Sequence, residues 1–383
     1  MSKSPTSHPD VSPCGQDLFA GTSYRMLRHL ASGGMAEIYE VTHRKLGRRL
    51  AAKVLHARFA SDPSLVDRMR VEAQVLGRMR HANVVAIMGF GTTSDQRPFV
   101  VMEYLTGHTL DHELIIKGHL SVSESVALAL QLLSALYATH ELGIVHRDIK
   151  PSNLFLVTAP KGERILKVLD FGIARVMPGT SDDAPEPIEV RTASGVVMGT
   201  PRYVSPEGAQ GLRVDGRADL YAAALMLYAM LTGRGPFDDV VRDTAVLAAH
   251  AHREPPPPSS FGVQAIPPAL EAVVLTALRK APNERYQTAA EFRNELERVN
   301  ASLLCPTALQ LTNVVAALPP SNNALPPEDI DEPPPSPIEA ANAHRTRSVT
   351  RESTARWVPR TIGIFLLSGL VVSLLIAYLE RFL

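Results

Sequence analysis

The chain has almost no cysteine, since its 383 residues include only Cys14 and Cys305. This excludes a disulfide scaffold and a zinc site of four thiolates, and it fits a reducing cytosol. The chain also has no net charge at pH 7, because 39 Lys and Arg residues balance 39 Asp and Glu residues. Nucleic-acid-binding proteins usually carry a basic excess, so we expect no nucleic-acid partner.

The chain also lacks an internal repeat and a cleavable signal peptide. Residues 1–21 are rich in Ser, Thr and Pro and have no basic start followed by an apolar run, so we predict a disordered lead. The hydrophobic fraction of 45% permits a sizeable core. Proline is in excess, and residues 301–360 hold ten prolines. We predict that this segment is a flexible juxtamembrane linker.

A long apolar run lies near the end of the chain. The 19 residues from Thr361 to Leu379 carry no charge, and as a helix they would span roughly 28 Å, close to the ~30 Å of a bilayer core. The arginines before the run are typical of the cytoplasmic side of a membrane. They are Arg345, Arg347, Arg351, Arg356 and Arg360.

We therefore predict one transmembrane helix over 361–379 in the cell (inner) membrane, with the preceding residues in the cytoplasm. Residues 380–383 would be a short extracytoplasmic tail, and we expect no sensor domain beyond it. The alternative is a buried core helix. Gly369 and Ser373 lie four residues apart, a spacing that would let two such helices pack closely in a homodimer.

The globular region covers about residues 22–300 and is predicted to be α+β. Up to about residue 104 it has the pattern of strands broken by turns, with one helical period over 65–80. After residue 106 the pattern is mostly helical. Ser121 and Glu124 have the spacing of a capping box at the start of a helix over 121–142. Residues 219–233 are apolar on all sides and predict a buried central helix. A small strand-rich lobe (22–104) thus precedes a larger helical lobe (105–300).

A glycine turn and a buried lysine lie in the first lobe. Gly33 and Gly34 separate two apolar strand-like segments, and such a turn lets backbone N–H groups approach phosphate oxygens, although ordinary tight turns also use glycine. Lys53 lies within the apolar strand LAAKVL. A lysine in a buried strand requires an anion, and Glu72 on the following helix is its candidate partner.

Polar residues suited to phosphoryl transfer lie on two loops of the second lobe. Asn153 and Asp170 offer the oxygen ligands that Mg²⁺ takes beside substrate phosphates. Asp148 could accept a proton from an attacking hydroxyl, and Lys150 could neutralise the moving phosphoryl group. Each residue alone would be an ordinary solvated charge. Their order and spacing together indicate phosphoryl transfer.

With these motifs the chain resembles the bacterial eukaryotic-like (Hanks-type) serine/threonine protein kinases over about residues 24–300. The resemblance implies a bilobal protein-kinase fold and transfer of the γ-phosphoryl group of ATP, with Mg²⁺, to Ser and Thr hydroxyls of proteins in membrane signalling. It also assigns the roles. Asp148 would be the catalytic base, and Lys150 would steady the γ-phosphate. Lys53, positioned by Glu72, would hold the α- and β-phosphates, and Asn153 and Asp170 would hold Mg²⁺.

The resemblance also implies where the nucleotide lies. Met102 matches the gatekeeper position, and Leu76, His146 and Phe171 match residues stacked behind the site. Two glycines of the family loop are Ala31 and Ala36 here, for which we expect modestly looser nucleotide binding and retained activity. The implied ATP-binding positions are Leu30, Ala31, Ser32, Gly33, Gly34, Ile38, Ala51, Lys53, Glu103, Leu105 and Phe155.

Further matches concern the protein substrate and regulation. Residues 199–207, including Thr200, resemble the segment that seats a protein substrate, with Glu207 paired to Arg285. Asp219 matches a residue that holds the catalytic loop. Thr192 and Ser194 match activation-loop phosphosites, where autophosphorylation would add charge that Arg147 could bind.

Three alternatives remain open at this point. The loop with Thr192 and Ser194 could be an unmodified solvated segment. The chain could be a pseudokinase that serves as a nucleotide-binding scaffold, although it has the residues that the chemistry requires. It could also be a small-molecule phosphotransferase, although the GTPRYVSPE run favours a polypeptide substrate.

Overall fold

A computed structural model describes residues 17–159, 162–170 and 201–304. The predicted disordered lead up to residue 16, the linker from residue 305 and the membrane helix over 361–379 lie outside the described residues. So do Phe171, Thr192, Ser194 and Thr200. The side chain of Glu72 is likewise outside the described part of the structure.

The N-terminal lobe is an antiparallel sheet with the strand order β1-β2-β3-β5-β4. Helices lie between β3 and β4, and the predicted helix over 65–80 is confirmed, beginning at Pro63. The elements are β1 (Tyr24–Ser32), β2 (Ala36–His43), β3 (Arg49–Leu55), α1 (Ala57–Ala60), α2 (Pro63–Arg78), β4 (Ile87–Thr92) and β5 (Pro98–Glu103).

The two faces of this sheet pack against different partners, because side chains alternate along a strand. Leu55 of β3 belongs to the cluster that packs under α2. Ala52 and Val54 face the other way, into a cluster that includes Phe19. Phe19 is fully buried, with its ring edge-to-face against Phe99 at a centroid distance of 5.1 Å.

The boundary of the predicted disordered lead at residue 21 is therefore wrong. Residues 17–21 are ordered, because Phe19 fills the outer face of the sheet and hydrogen bonds fix its neighbours. The Ser94 N–H donates to Leu18 O at 3.0 Å, and Arg44 forms an ion pair with Asp17. A single aromatic residue in a Ser- and Pro-rich stretch gives little periodicity from which to predict this packing.

The C-terminal lobe is mostly helical and carries a small antiparallel sheet with the order β6-β7-β8. Single 3₁₀ turns lie at Pro151–Asn153, Pro201–Tyr203, Pro258–Phe261 and Pro282–Glu284. The strands and helices are β6 (Gly107–Thr109), α3 (Leu110–Lys117), α4 (Val122–His140), β7 (Leu154–Thr158), β8 (Arg164–Val168), α5 (Pro206–Ala209), α6 (Gly216–Thr232), α7 (Asp243–His252), α8 (Pro268–Ala277) and α9 (Ala289–Leu304).

Helix α4 begins at the predicted capping box. The Ser121 hydroxyl accepts from the Glu124 N–H, and the Glu124 carboxylate accepts from the Ser121 N–H, so two otherwise unpaired donors are satisfied. By length and composition α4 is the one helix among the described residues that could cross a membrane. It packs within the C-lobe core, with Leu132 and Leu136 fully buried.

Helix α6 is the predicted buried central helix. It begins three residues earlier than predicted, because Asp215 caps it by accepting from the Arg217 N–H at 2.9 Å. It ends at Gly233, whose φ of +76° is in the left-handed region, and a Cβ there would lie 2.3 Å from Gly118 O. Every residue from Ala218 to Thr232 is buried, so α6 is a rigid support for the loops around it.

A buried carboxylate, Glu113, joins three elements of this lobe. It pairs with Lys117 on its own helix at 3.0 Å, with His108 of β6 and with Arg164 of β8. Burial opposes ionisation of Glu113. These hydrogen bonds and charges outweigh burial and lower its pKa from 4.5 to about 2. The carboxylate therefore fixes α3 to the small sheet.

Candidate active site

The loop between α4 and β7 is held in one shape by Asp219 of α6. The Asp219 carboxylate is buried and accepts from the His146 N–H at 2.7 Å and from the Arg147 N–H at 2.8 Å. It also accepts from His140 Nε2 at 2.9 Å. Arg147 has a φ of +61°, a left-handed conformation that costs energy for a residue with a Cβ. The bonds to Asp219 offset this strain, so the predicted role of Asp219 in holding the loop agrees with the geometry.

Three predicted site residues come together on this loop. Lys150 Nζ lies 2.9 Å from Asp148 Oδ2. Asn153 donates from Nδ2 to the backbone oxygen of Asp148 at 2.8 Å and to its carboxylate at 3.1 Å. The 3₁₀ turn that starts at Pro151 brings Asn153 back toward Asp148. A carboxylate, a cation and an amide therefore share one small volume.

Lys53 and Asp170 form the second pair of the site. Lys53 Nζ lies 2.8 Å from Asp170 Oδ1. This ion pair joins β3 of the N-lobe to the residues after β8. Burial opposes ionisation of Asp170, but the charge of Lys53 and its hydrogen bond outweigh burial and hold the pKa of Asp170 below its usual value. Glu72, the predicted partner of Lys53, is not described, so that pairing stays a prediction.

The donor set fits a magnesium ion that is shared with a phosphate-bearing substrate. Asn153 uses its amide nitrogen on Asp148, which leaves the carbonyl oxygen as its ligand atom. Asp170 supplies a carboxylate. Among the described residues no group of three His, Cys, Asp or Glu side chains could form a complete cage. Mg²⁺ commonly takes one or two carboxylates together with substrate phosphates rather than such a cage.

The predicted nucleotide positions lie on residues of both lobes. Ala51 and Met102 form an apolar cluster with Val85, and Leu105 and Leu169 pack against it. Four of the other positions lie on strands next to Lys53. Leu30, Ala31 and Ser32 are the last residues of β1. Ile38 of β2 pairs with Ala31 on one side and with Lys53 on the other. Gly33 and Gly34 form the turn, and Phe155 lies on β7 opposite Thr109.

Sequence reasoning missed Lys167, which fixes the segment after Met102. Lys167 Nζ lies 2.7 Å from Glu103 Oε1, and that carboxylate oxygen also accepts from the Ala86 N–H at 2.8 Å. Lys167 therefore joins β8 to the segment between the lobes and to the residues before β4. Its local sequence indicates only an apolar strand, and the partner is distant in the chain, so no local signal could have identified it.

The predicted pair between Glu207 and Arg285 is present and buried. Arg285 donates from Nη2 and Nη1 to the two Glu207 oxygens at 2.7 and 3.0 Å. It also donates to the backbone oxygens of Arg279 and Lys280 at 2.7 and 2.8 Å. The segment after Thr200 is thus anchored to the turn before α9. Buried pairs of this kind fix geometry more than they stabilise.

Two of the residues predicted to stack behind the site are buried. Leu76 belongs to the large C-lobe cluster. His146 is fully buried, its Nε2 donates to Leu169 O at 2.8 Å, and its Nδ1 accepts from the Asp148 N–H at 3.2 Å. These bonds suit a neutral ring, and burial lowers the pKa of His146. The third, Phe171, is outside the described residues.

Comparison with known proteins gives one consistent result. The family model described as "Protein kinase domain" matches residues 24–295. The chain is 42% identical over 297 residues to the serine/threonine-protein kinase Pkn1 of Myxococcus xanthus, a match that covers 76% of this chain and 41% of that protein. It is 36% identical to the serine/threonine-protein kinase PknB of Mycolicibacterium smegmatis, over 92% of this chain and 54% of that protein.

The chain thus spans about half the length of these two relatives. Among solved structures, the kinase domain of Mycobacterium tuberculosis PknI is similar, with a TM-score of 0.56 and 25% identity. That match covers 74% of this chain and 99% of the PknI chain. The predicted fold is therefore confirmed for the globular region.

Proposed function

This chain belongs to the protein kinase family, whose members use ATP and a divalent metal ion, and from that premise we propose that it is a serine/threonine protein kinase. The proposal depends mainly on one observation. The side chains of Lys150 and Asn153 both contact the Asp148 carboxylate, at 2.9 and 3.1 Å, on a loop that Asp219 holds in place. A pseudokinase scaffold would have no need for a complete set of catalytic groups.

Each side chain has a defined task in this proposal. Asp148 accepts the proton of the attacking Ser or Thr hydroxyl. Lys150, beside it, stabilises the negative charge on the phosphoryl group as it moves. Lys53 binds the α- and β-phosphates and, through its ion pair, keeps Asp170 ionised and in place. Asn153 and Asp170 would hold Mg²⁺, which supplies positive charge against the phosphate oxygens when it is bound.

The test is phosphate transfer from radiolabelled ATP to a generic basic protein, with Mg²⁺ or with a chelator. We expect Asp148→Asn and Lys53→Met each to abolish transfer without a change in thermal stability. Asp243→Asn, an exposed acid in the first turn of α7, is the matched control and should transfer normally. Near-normal transfer by either site variant would refute the assigned roles. ATP binding without transfer by the unchanged protein would support the scaffold function instead.

We also propose that Thr192 and Ser194 are phosphorylated by the kinase itself. The proposal is supported by their positions, seven and five residues before Gly199, and by Arg147, the cation next to Asp148 on the catalytic loop. A phosphate adds about −1.5 to −2 charge, which can pair with such an arginine. Phosphopeptide mapping after incubation with ATP and Mg²⁺ should find label at one or both positions. Active protein without label at either position would contradict the proposal.

We further propose that residues 361–379 anchor the kinase in the cell membrane, with the kinase domain in the cytoplasm. The support is the uncharged run and the arginines before it. The full chain should remain in the membrane fraction after an alkaline wash, and release by the wash would contradict the anchor. If Gly369 mediates pairing of helices, Gly369→Ile should lower self-association in detergent.

A further inference from the structure

Hydrogen bonds from the residues that follow β3 hold the glycine turn in place. Three successive carbonyl oxygens of the turn accept hydrogen bonds from residues 56–58. Gly33 O lies 2.9 Å from His56 Nε2, Gly34 O accepts from the Arg58 guanidinium at 2.6 Å, and Met35 O accepts from the His56 N–H at 2.9 Å. The Gly33 N–H closes the turn on Ala36 O at 2.8 Å.

These bonds determine which way the peptide groups of the turn point. In a planar trans peptide, the C=O of one residue and the N–H of the next point in opposite directions. Since the carbonyls of Gly33 and Gly34 point toward His56 and Arg58, the N–H groups of Gly34 and Met35 point away from them. Successive N–H groups turned to one side form a concavity that binds anions.

The fastening residues are themselves supported by the N-lobe core. The Arg58 guanidinium lies over the Phe59 ring, 4.8 Å from its centroid. Phe59 and Met35 both pack on the cluster that contains Leu55 and Met69. The two residues that hold the turn thus belong to α1 and its cap. This segment packs through Phe59 against β3 and α2, the elements that carry Lys53 and Glu72.

The turn itself has little else to hold it. Gly33 and Gly34 are exposed, and a Cβ added to Gly34 would meet no atom within 4 Å. An exposed glycine pair loses much conformational entropy when it is ordered. Fastening its carbonyls before nucleotide arrives lowers the entropy that binding must overcome.

We propose that His56 and Arg58 are positioning residues that preorganise the turn for the phosphates of ATP. The proposal rests on the kinase function above and deepens it, because it assigns phosphate affinity to two side chains outside the phosphate-binding motif. It also accounts for a turn that works with Ala31 and Ala36 in place of two glycines, since its shape depends on bonds from outside rather than on glycine alone.

The experiment measures binding of ATP and of adenosine to the full chain by calorimetry, with Asp148→Asn present throughout to prevent turnover. His56→Phe keeps a ring and removes the donor, and Arg58→Met keeps the length and removes the guanidinium. At about 1 kcal/mol for a hydrogen bond, we expect each to weaken ATP binding about fivefold, and the double variant about 25-fold. Adenosine affinity should not change, because adenosine has no phosphate.

Two further variants separate positioning from a general loss of stability. His56→Gln restores a donor, so it should recover most of the ATP affinity. Arg48→Met removes an exposed arginine of the same lobe and should bind ATP normally. Unchanged ATP affinity in the double variant, or equal losses for ATP and adenosine, would overturn the proposal while leaving the kinase function intact. If the Asp148→Asn protein without these changes binds neither ligand, the proposed function itself fails.

Discussion

Asp219 offers the sharpest test of how the core of the C-lobe controls catalysis. Its Oδ2 accepts from the His146 N–H and from His140, and its Oδ1 accepts from the Arg147 N–H. In Asp219→Asn one oxygen becomes an NH₂ group, which donates and cannot accept. In either orientation of the amide, at least one backbone N–H of the catalytic loop then faces another donor.

The structure allows the size of this effect to be worked out. A hydrogen bond to a charged group contributes about 1.5–3 kcal/mol, and an unsatisfied buried donor costs about as much. We expect Asp219→Asn to lower the free energy of unfolding by about 2–4 kcal/mol. Displacement of Asp148 by about 1 Å would lower kcat about 100-fold. The KM for ATP should change little, because Lys53 and the glycine turn lie on the other lobe.

The assay combines initial rates on a basic protein with urea unfolding. Asp215→Asn is the matched control, since it makes the same acid-to-amide change in the cap of the same helix. Asparagine is as good a cap as aspartate, so kcat and stability should stay near those of the unchanged protein. A kcat within about threefold of normal in Asp219→Asn, together with the expected loss of stability, would refute the reasoning that the loop depends on this carboxylate.

Three further predictions concern stability and are measured by urea unfolding. Arg285→Met should cost about 3–5 kcal/mol because it leaves Glu207 buried without its partner, and adding Glu207→Leu should recover most of that loss. Failure of the double variant to recover would indicate that the backbone bonds of Arg285 matter more than the pair. Glu113, with its pKa lowered to about 2, should contribute about 3 kcal/mol that is fully present above pH 4.5 and lost as the pH falls toward 2. The difference in stability between the unchanged protein and Glu113→Gln should therefore shrink below pH 4.5, and a constant difference would contradict the lowered pKa. Ser121→Ala should cost about 1 kcal/mol through loss of the cap of α4, whereas Ser121→Asp should cost little.

Local signals in the sequence predict the elements that carry the site. The capping box at Ser121 and the all-apolar run of α6 depend on neighbouring residues, so their positions could be read without tertiary information. The loop that holds Asp148 and Asn153 could be predicted for the same reason, since its motif is continuous in the chain.

Contacts between distant residues could not be predicted in this way. The bond of Lys53 to Asp170 and that of Lys167 to Glu103 depend on how the lobes and strands pack. The hydrogen bond from Arg58 to Gly34 O depends on the path of the chain after β3. The local sequence there does not determine that path. The start of α6 was also missed. The Asp215 side chain caps the helix ahead of the apolar residues from which the helix was predicted.

The burial of Phe19 has a practical consequence for work with the isolated catalytic unit. A fragment trimmed to the family match, residues 24–295, would delete this ring and expose the aromatic faces of Tyr39 and Phe99. It would also stop within α9, ahead of the buried Leu296 and Val299. Fragments for crystallisation or inhibitor screening should therefore begin no later than residue 17 and run through residue 304.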